Sequence, residues 1–331
     1  MSSPISDLLR LVAVPFFALA AYRDIRTRRV RNVLWLPLVS VGAVLFVADA
    51  SVAAADPFRT RQFAVHAAVS LGIVAPLGYL FWRVGGFGGA DAKAIMVLAL
   101  LFPEFPVYYL PGDTLPLVVP PLGVLSMTVL SNTVLVGLAF PFVLAARNVL
   151  AGHVALPMFV GRPARVPDVA TDYGSLLETP DGFTRRGLDL DALRMYLRWR
   201  GLTLSDLRRD PDRYRDPASL PPEGERGDPT DGALAAGPAV ADGGEALTPA
   251  VRRVADVDDP WGAAAFLASL DGSAYGTTPD GLRAGLEVLV AEDEVWLTPG
   301  LPFIVPMFVG LVLAVTYGDL LFSVLTLVVG V

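Results

Sequence analysis

Apolar residues run through this chain in long stretches, near 5 to 23, 33 to 54, 62 to 82, 92 to 111, 120 to 147 and 301 to 331, most of them separated by short polar loops. Each run approaches the ~20 residues with which a helix crosses the hydrocarbon core of a bilayer. Inside lipid every backbone N–H and C=O must be satisfied within the segment, which a helix achieves and an open strand does not. The pattern therefore predicts an all-α polytopic membrane protein with about six transmembrane helices. The first run lacks a basic start and a small-x-small cleavage site before the next charged loop, so it reads as a permanent span rather than a removable signal peptide. One long polar stretch, 151 to 299, interrupts the series before the last span.

Composition agrees with membrane insertion: 53% of the 331 residues are hydrophobic and the mean hydropathy is +0.54. A net charge of −7 excludes a basic nucleic-acid binder. The absence of cysteine excludes disulfide scaffolds, thiolate metal sites and thiol nucleophiles. The two histidines, His66 and His153, stand outside any HExxH arrangement, so no metal or other cofactor is expected.

Charge divides the chain into parts. Residues 151 to 299 carry 25 acidic and 15 basic side chains, a balance of −10, and the remainder carries 8 and 11, a balance of +3. The division is a membrane domain at 1–150, an acidic insert at 151–299 and a last transmembrane segment at 300–331. Cytoplasmic loops retain Lys and Arg. Arg23, Arg26, Arg28, Arg29, Arg31, Arg83, Lys93 and Arg147 fall on one face, against Arg10, Arg59 and Arg61 on the other. The first face is accordingly cytoplasmic, the N-terminus is outside, and the insert is cytoplasmic. Within it, 211 to 250 holds 13 Pro plus Gly in 40 residues, a composition that buries too little apolar surface to offset its ordering entropy. Before that segment Leu190, Leu193, Leu197 and Trp199 recur at helical spacing. After it, Thr278-Pro279-Asp280 reads as the start of a helix with Leu282, Leu286, Leu289 and Val290 on one face.

Two carboxylates stand where ionisable groups are costly, at the membrane boundary. Asp24 closes the first span in Arg23-Asp24-Ile25-Arg26-Thr27-Arg28-Arg29-Val30-Arg31-Asn32, and Asp91 opens the fourth after Gly85-Gly86-Phe87-Gly88-Gly89-Ala90. The charge bias puts both on the cytoplasmic side. Two neighbouring carboxylates cannot both ionise, so one keeps a proton while the other acts as base toward water. The alternatives are a first-turn helix acid for Asp91 and a counter-ion to arginines for Asp24. The glycine run is no dinucleotide fingerprint, because Asp91 occupies the place of the third glycine.

At these residues the sequence resembles the archaeal type IV prepilin peptidases, also called preflagellin peptidases, among the GxGD-type membrane aspartic proteases. Gly88-Gly89-Ala90-Asp91 followed by Lys93 matches one motif, with a small residue in place of its second glycine. Asp24 with Arg28, Val30 and Asn32 matches the D-x-x-x-R-x-[IV]-x-N pattern. The resemblance covers the membrane part and gives the insert no role. It implies a multi-pass plasma-membrane endopeptidase that removes the basic leader of pilin and archaellin precursors at the cytoplasmic face. Asp24 and Asp91 would be its catalytic pair, and Gly88, Gly89, Ala90, Lys93, Arg28 and Asn32 would shape and position the site. With no cysteine and no nucleotide-binding signature, cleavage without N-methylation is expected. Lys93 is the only lysine beside 25 arginines, an Arg-rich usage that suits a salt-adapted organism such as a haloarchaeon. As a residue, Lys93 fits a positioning or pKa-tuning role, or a snorkelling anchor.

A second Gly-Asp step, Gly318-Asp319, lies in the final span, lacks the preceding glycine and the following lysine, and reads as a helix-terminal or packing feature. The rival readings are a proton-coupled transporter, since membrane acids also build proton relays, and a noncatalytic scaffold whose insert docks a partner. Serine chemistry has neither a GxSxG elbow nor SxxK spacing.

Overall fold

A computed structural model of the chain describes residues 4–27, 30–84, 87–228, 232, 259–270, 274–299 and 303–329. It is mostly helical with three small sheets, where the apolar pattern predicts helices alone. The residues divide into two compact units, Met1–Phe140 with Pro302–Val331, and Pro141–Leu301.

The first unit begins with α1 (Pro4–Arg10) and α2 (Ala13–Thr27), followed by α3 (Leu36–Ala53), α4 (Pro57–Val69), α5 (Ala75–Arg83) and α6 (Gly89–Leu101). Among the described residues four helical stretches are long and apolar enough to cross a membrane: Ile5–Thr27, Asn32–Ala53, Pro57–Arg83 and Leu125–Leu150, the last being α7. They correspond to four of the six expected spans. Between α4 and α5 the chain takes one wide π turn, Ser70–Val74, just before Pro76. Proline has no N–H and crowds the carbonyl four residues back, so the widened turn removes the clash without ending the span. Ser70, in this turn, donates to the Ala99 carbonyl at 2.7 Å. At Gly78 a Cβ would stand 3.0 Å from Ile95, so the missing side chain is what lets α5 lie close on α6.

The other two spans differ from expectation. The run 92 to 111 becomes the 13-residue α6, about 20 Å long against a core of about 30 Å. It ends at Leu101 because the residue before a proline disfavours helical geometry and Pro103 follows Phe102. The chain then turns through a hairpin, β1 (Tyr108–Leu110) against β2 (Asp113–Leu115). The run 301 to 331 splits into α14 (Ile304–Thr316) and α15 (Leu320–Val329). Gly318 breaks it at φ +106°, where a side chain would be strained and a Cβ would meet the Val118 carbonyl oxygen at 1.8 Å.

The second unit has its own core and does not need the membrane helices to bury its apolar stripes. Its three-stranded sheet has the order β3 (Arg162–Arg165), β7 (Glu294–Thr298), β4 (Ser175–Leu176), and a short hairpin pairs β5 (Glu178–Thr179) with β6 (Gly182–Phe183). The helices are α8 (Val166–Val169), α9 (Leu190–Arg200), α10 (Leu204–Arg209), α11 (Pro211–Arg215), α12 (Ala263–Ala268) and α13 (Pro279–Ala291). Helix α9 buries Leu190, Leu193, Leu197 and Trp199. Helix α13 starts as its sequence predicts, with Thr278 accepting from the Gly281 N–H at 3.1 Å, and buries Leu282, Leu286 and Leu289. Residues 211–228, expected to lack fixed structure, are built into this unit. Buried Arg200 donates to the Tyr214 carbonyl and to Ser219, the Gly227 N–H donates to the Trp199 carbonyl, and Arg226 lies over the Trp199 ring. Aromatic and arginine contacts supply the anchoring that Pro and Gly content does not reveal. Residues 229–231 and 233–250, the rest of that segment, lie outside the described residues.

Candidate active site

Helix α2 buries Ala13, Phe17, Ala20, Ala21 and Asp24, a stripe at helical spacing whose last member is a carboxylate only 9% exposed. The apolar members hold α2 on the first unit's core, where it packs against α14. That packing fixes Asp24 two turns from Phe17, whose ring meets buried Trp35 edge-on at 5.5 Å.

Asp91 comes from a different helix. Gly88 caps α6 with extended backbone (φ −68°, ψ 157°), Gly89 and Ala90 form its first two positions, and Asp91 is the third. Its Oδ2 accepts the Gly88 N–H at 3.1 Å, the use of a first-turn acid on an otherwise unpaired helix-terminal donor. Any residue adopts the Gly88 backbone conformation, so glycine is not required there for its φ. It is favoured by space: a Cβ at Gly88 would stand 3.2 Å from the Asp91 carboxylate. Ahead of it, Phe87 stacks on Phe81 at 4.9 Å and on Phe303 at 4.6 Å, which ties the loop to the end of α5 and the start of α14. These two phenylalanines went unnoticed in the sequence, where the only hint was an aromatic residue inside a glycine run.

The two aspartates face one electrostatic environment: beyond burial, the charge of Asp24 is the strongest influence on Asp91. Two further motif residues meet directly. Lys93, one half-turn past Asp91, donates to Asn32 Oδ1 at 2.8 Å, linking the head of α6 to the segment that follows Asp24's helix. Arg28 lies outside the described residues, as do Gly85 and Gly86. Among the described residues no three His, Asp or Glu side chains form a group able to hold a metal ion.

Asp319 has the helix-terminal role expected of it. It is 7% exposed, and its Oδ1 accepts the Phe322 N–H at 2.8 Å at the head of α15 while Oδ2 accepts the Thr128 hydroxyl at 2.6 Å. Both oxygens are committed to structure. Asp189 of the second unit is similar, capping α9 through the Asp191 N–H, with burial pushing its carboxyl up to about 6 against that bond.

An arrangement of two carboxylates from separate helices, one buried and one at a helix head beside glycines, has the components for acid–base activation of water. The profile of the Type IV leader peptidase family matches residues 11–142, the stretch that contains both aspartates. The profile of the Archaeal Peptidase A24 C-terminus Type II matches residues 269–320. A preflagellin peptidase from Methanococcus maripaludis is similar, with 29% identity over 167 residues, covering 48% of this chain and 69% of that relative.

Proposed function

Given that the chain belongs to the Type IV leader peptidase family and is an aspartic-type peptidase of that kind, we propose that Asp24 and Asp91 are its catalytic pair. Its substrates in this reading are pilin and archaellin precursors, as the relative's preflagellin activity indicates. The observation that carries the reading is that Asp24, buried on α2, and Asp91, at the head of α6, come from separate helices, with the Lys93–Asn32 bond joining the head of α6 to the segment after α2 and the Asp24 charge reaching Asp91. Like charges so close hold one proton between them. The ionised member takes a proton from water as the oxygen attacks the scissile carbonyl, while the protonated member donates to the developing oxyanion; the first then passes its new proton to the leaving amine as the second recovers one from the tetrahedral diol, which collapses to the carboxylic acid. The pair titrates as one unit, so neither residue is assigned a fixed protonation. Gly88 leaves room at the carboxylate for an extended substrate backbone.

Cleavage on the cytoplasmic side follows from the positive-charge bias. Arg10, counted on the opposite face, is buried in an ion cluster and so contributes little as a loop charge, which widens the bias. A leader rich in Lys and Arg is itself retained on that side, next to the aspartates.

Coexpression with an epitope-tagged precursor tests the assignment through the mobility shift of the mature form. Asp24→Asn and Asp91→Asn each reduce cleavage about 100-fold or more at matched membrane abundance, and the double variant is little worse, because the two act as one unit. Cleavage by either single variant at the native rate overturns the pair. Reporter fusions after Arg31, Gly89 and Arg226 report the cytoplasm and one after Arg61 the outside; an external signal at Gly89 overturns the orientation.

A further inference from the structure

The helices that bear the two aspartates pack on different neighbours: α2 lies against α14, and α6 lies against α3 and α5. Directional polar ties hold α6 near both ends, one to the segment that follows α2 and one to the end of α1. One is the Lys93–Asn32 bond near Asp91. The other lies at the far end, ten residues and about 15 Å along the axis from Asp91, where Arg10 Nε donates to the Leu101 carbonyl at 2.7 Å. That carbonyl is one of the last four of α6, which the helix's own ladder leaves open.

Arg10 is 2% exposed and held from several sides. Its Nη1 donates to Asp7 Oδ1 of α1 at 2.9 Å, and its Nη2 donates to Asp49 Oδ2 of α3. Asp7 Oδ2 in turn accepts the Val107 N–H at 3.0 Å, just beyond α6. Around this core stand Glu104, whose charge acts on Asp49, Tyr108, on which Asp7 and Arg10 act, and His66 of α4, bonded to Glu104 at 3.0 Å. Apolar side chains would join these helices with less desolvation cost than a buried guanidinium between two carboxylates. What a planar, five-donor fork adds is a fixed direction: with Nη1 and Nη2 held by Asp7 and Asp49, Nε is aimed at the Leu101 carbonyl of α6.

We propose that Arg10 is a positioning residue for the aspartate pair: by anchoring the last turn of α6 to α1 and α3 it sets the axial height of that helix, and so the separation of Asp91 from Asp24. The inference rests on the catalytic reading of the pair. Proximity of the two carboxylates splits their two ionisations, and the acid and basic limbs of kcat/KM against pH report that splitting. A slip of α6 draws the limbs together, and misplacement of about 1 Å costs up to about 100-fold in rate. Arg23 and Arg26 flank Asp24, Arg26 lying over the Tyr22 ring, and Lys93 follows Asp91, bonded to Asn32; substitution at Arg10 alters none of these side chains.

The test uses the full chain in membranes, with activity expressed per folded molecule for Arg10→Gln, Arg10→Lys and Asp49→Asn. In Arg10→Gln, kcat falls about 10-fold with little change in KM, and the pH bell narrows. Arg10→Lys, which keeps the charge and loses the fork, lies between it and the native protein. Asp49→Asn, which loosens one anchor, narrows the bell least. A bell of native width and a native kcat overturn the proposal, even where abundance falls, because a merely structural role lowers the amount of enzyme without moving its ionisations. Should Arg10→Gln fail to accumulate, Arg10→Lys decides by the same criterion. Failure of the underlying reading is seen separately, as native activity in Asp91→Asn.

Discussion

Asp91 and Asp319 each stand at the head of an apolar helix, Asp319 directly after a glycine and Asp91 two residues after one, yet their surroundings set them different tasks. Among the described residues Asp91 accepts one hydrogen bond, from Gly88, and has a second carboxylate within electrostatic reach. Asp319 is nearly sealed, with one oxygen on the Phe322 N–H and the other on the Thr128 hydroxyl, while Asn132 bonds the Gly318 carbonyl and the Leu320 N–H on either side of it. The glycines differ too. Gly318 is required by backbone conformation and by contact with Val118, whereas Gly88 leaves space in front of a carboxylate. A buried carboxylate with both oxygens bonded within the protein is a structural strut, and one with an oxygen to spare beside a like charge is available for chemistry.

Substitutions at the two steps sharpen this contrast. The largest effect is expected for Gly318→Ala, which forces a left-handed residue and a Cβ into the Val118 carbonyl oxygen. A loss of about 3 kcal/mol or more should empty the membrane of folded protein in a quantitative blot. Asp319→Ala removes a helix cap and strands the Thr128 hydroxyl. It should cost about 1–3 kcal/mol in thermal stability while cleavage per folded molecule stays near native. Smallest is Gly88→Ala, with stability near native and a rate about threefold lower, because the new methyl crowds only the Asp91 carboxylate. If Gly88→Ala lost the protein and Gly318→Ala lost only rate, the two roles would have to be exchanged.

The sequence made the aspartates and their setting legible because spacing encodes them: Asp24 closes an apolar stripe, Asp91 follows glycines at a helix head, and Lys93 and Asn32 belong to the same two patterns. Their mutual bond was not legible, since nothing in a linear pattern says that residues 61 apart touch. The spans were legible where apolar length and helix length coincide. They were not where local backbone chemistry interrupts an apolar run, at Pro103 after α6 and at Gly318 before α15, although both residues are visible signals once hydropathy is set aside. Arg10 was counted as a loop charge because hydropathy and charge bias do not identify partners, and only the fold brings Asp7, Asp49 and the Leu101 carbonyl around it. Likewise 211–228 looked unstructured by Pro and Gly content because its anchors are aromatic rings and buried arginines supplied from elsewhere in the unit.

The antiparallel pairing of β3 with β7 sets Arg162 opposite Leu297, so the second unit's sheet takes in the chain and returns it on neighbouring strands. Backbones paired in this way stand about 5 Å apart. More than 130 residues therefore occupy a gap that a tight turn could bridge. A chain that enters and leaves on paired strands can in principle be closed by a short turn without moving the segments on either side. A gene in which a short turn replaces residues 163–296 would show whether the first unit accumulates in membranes without them.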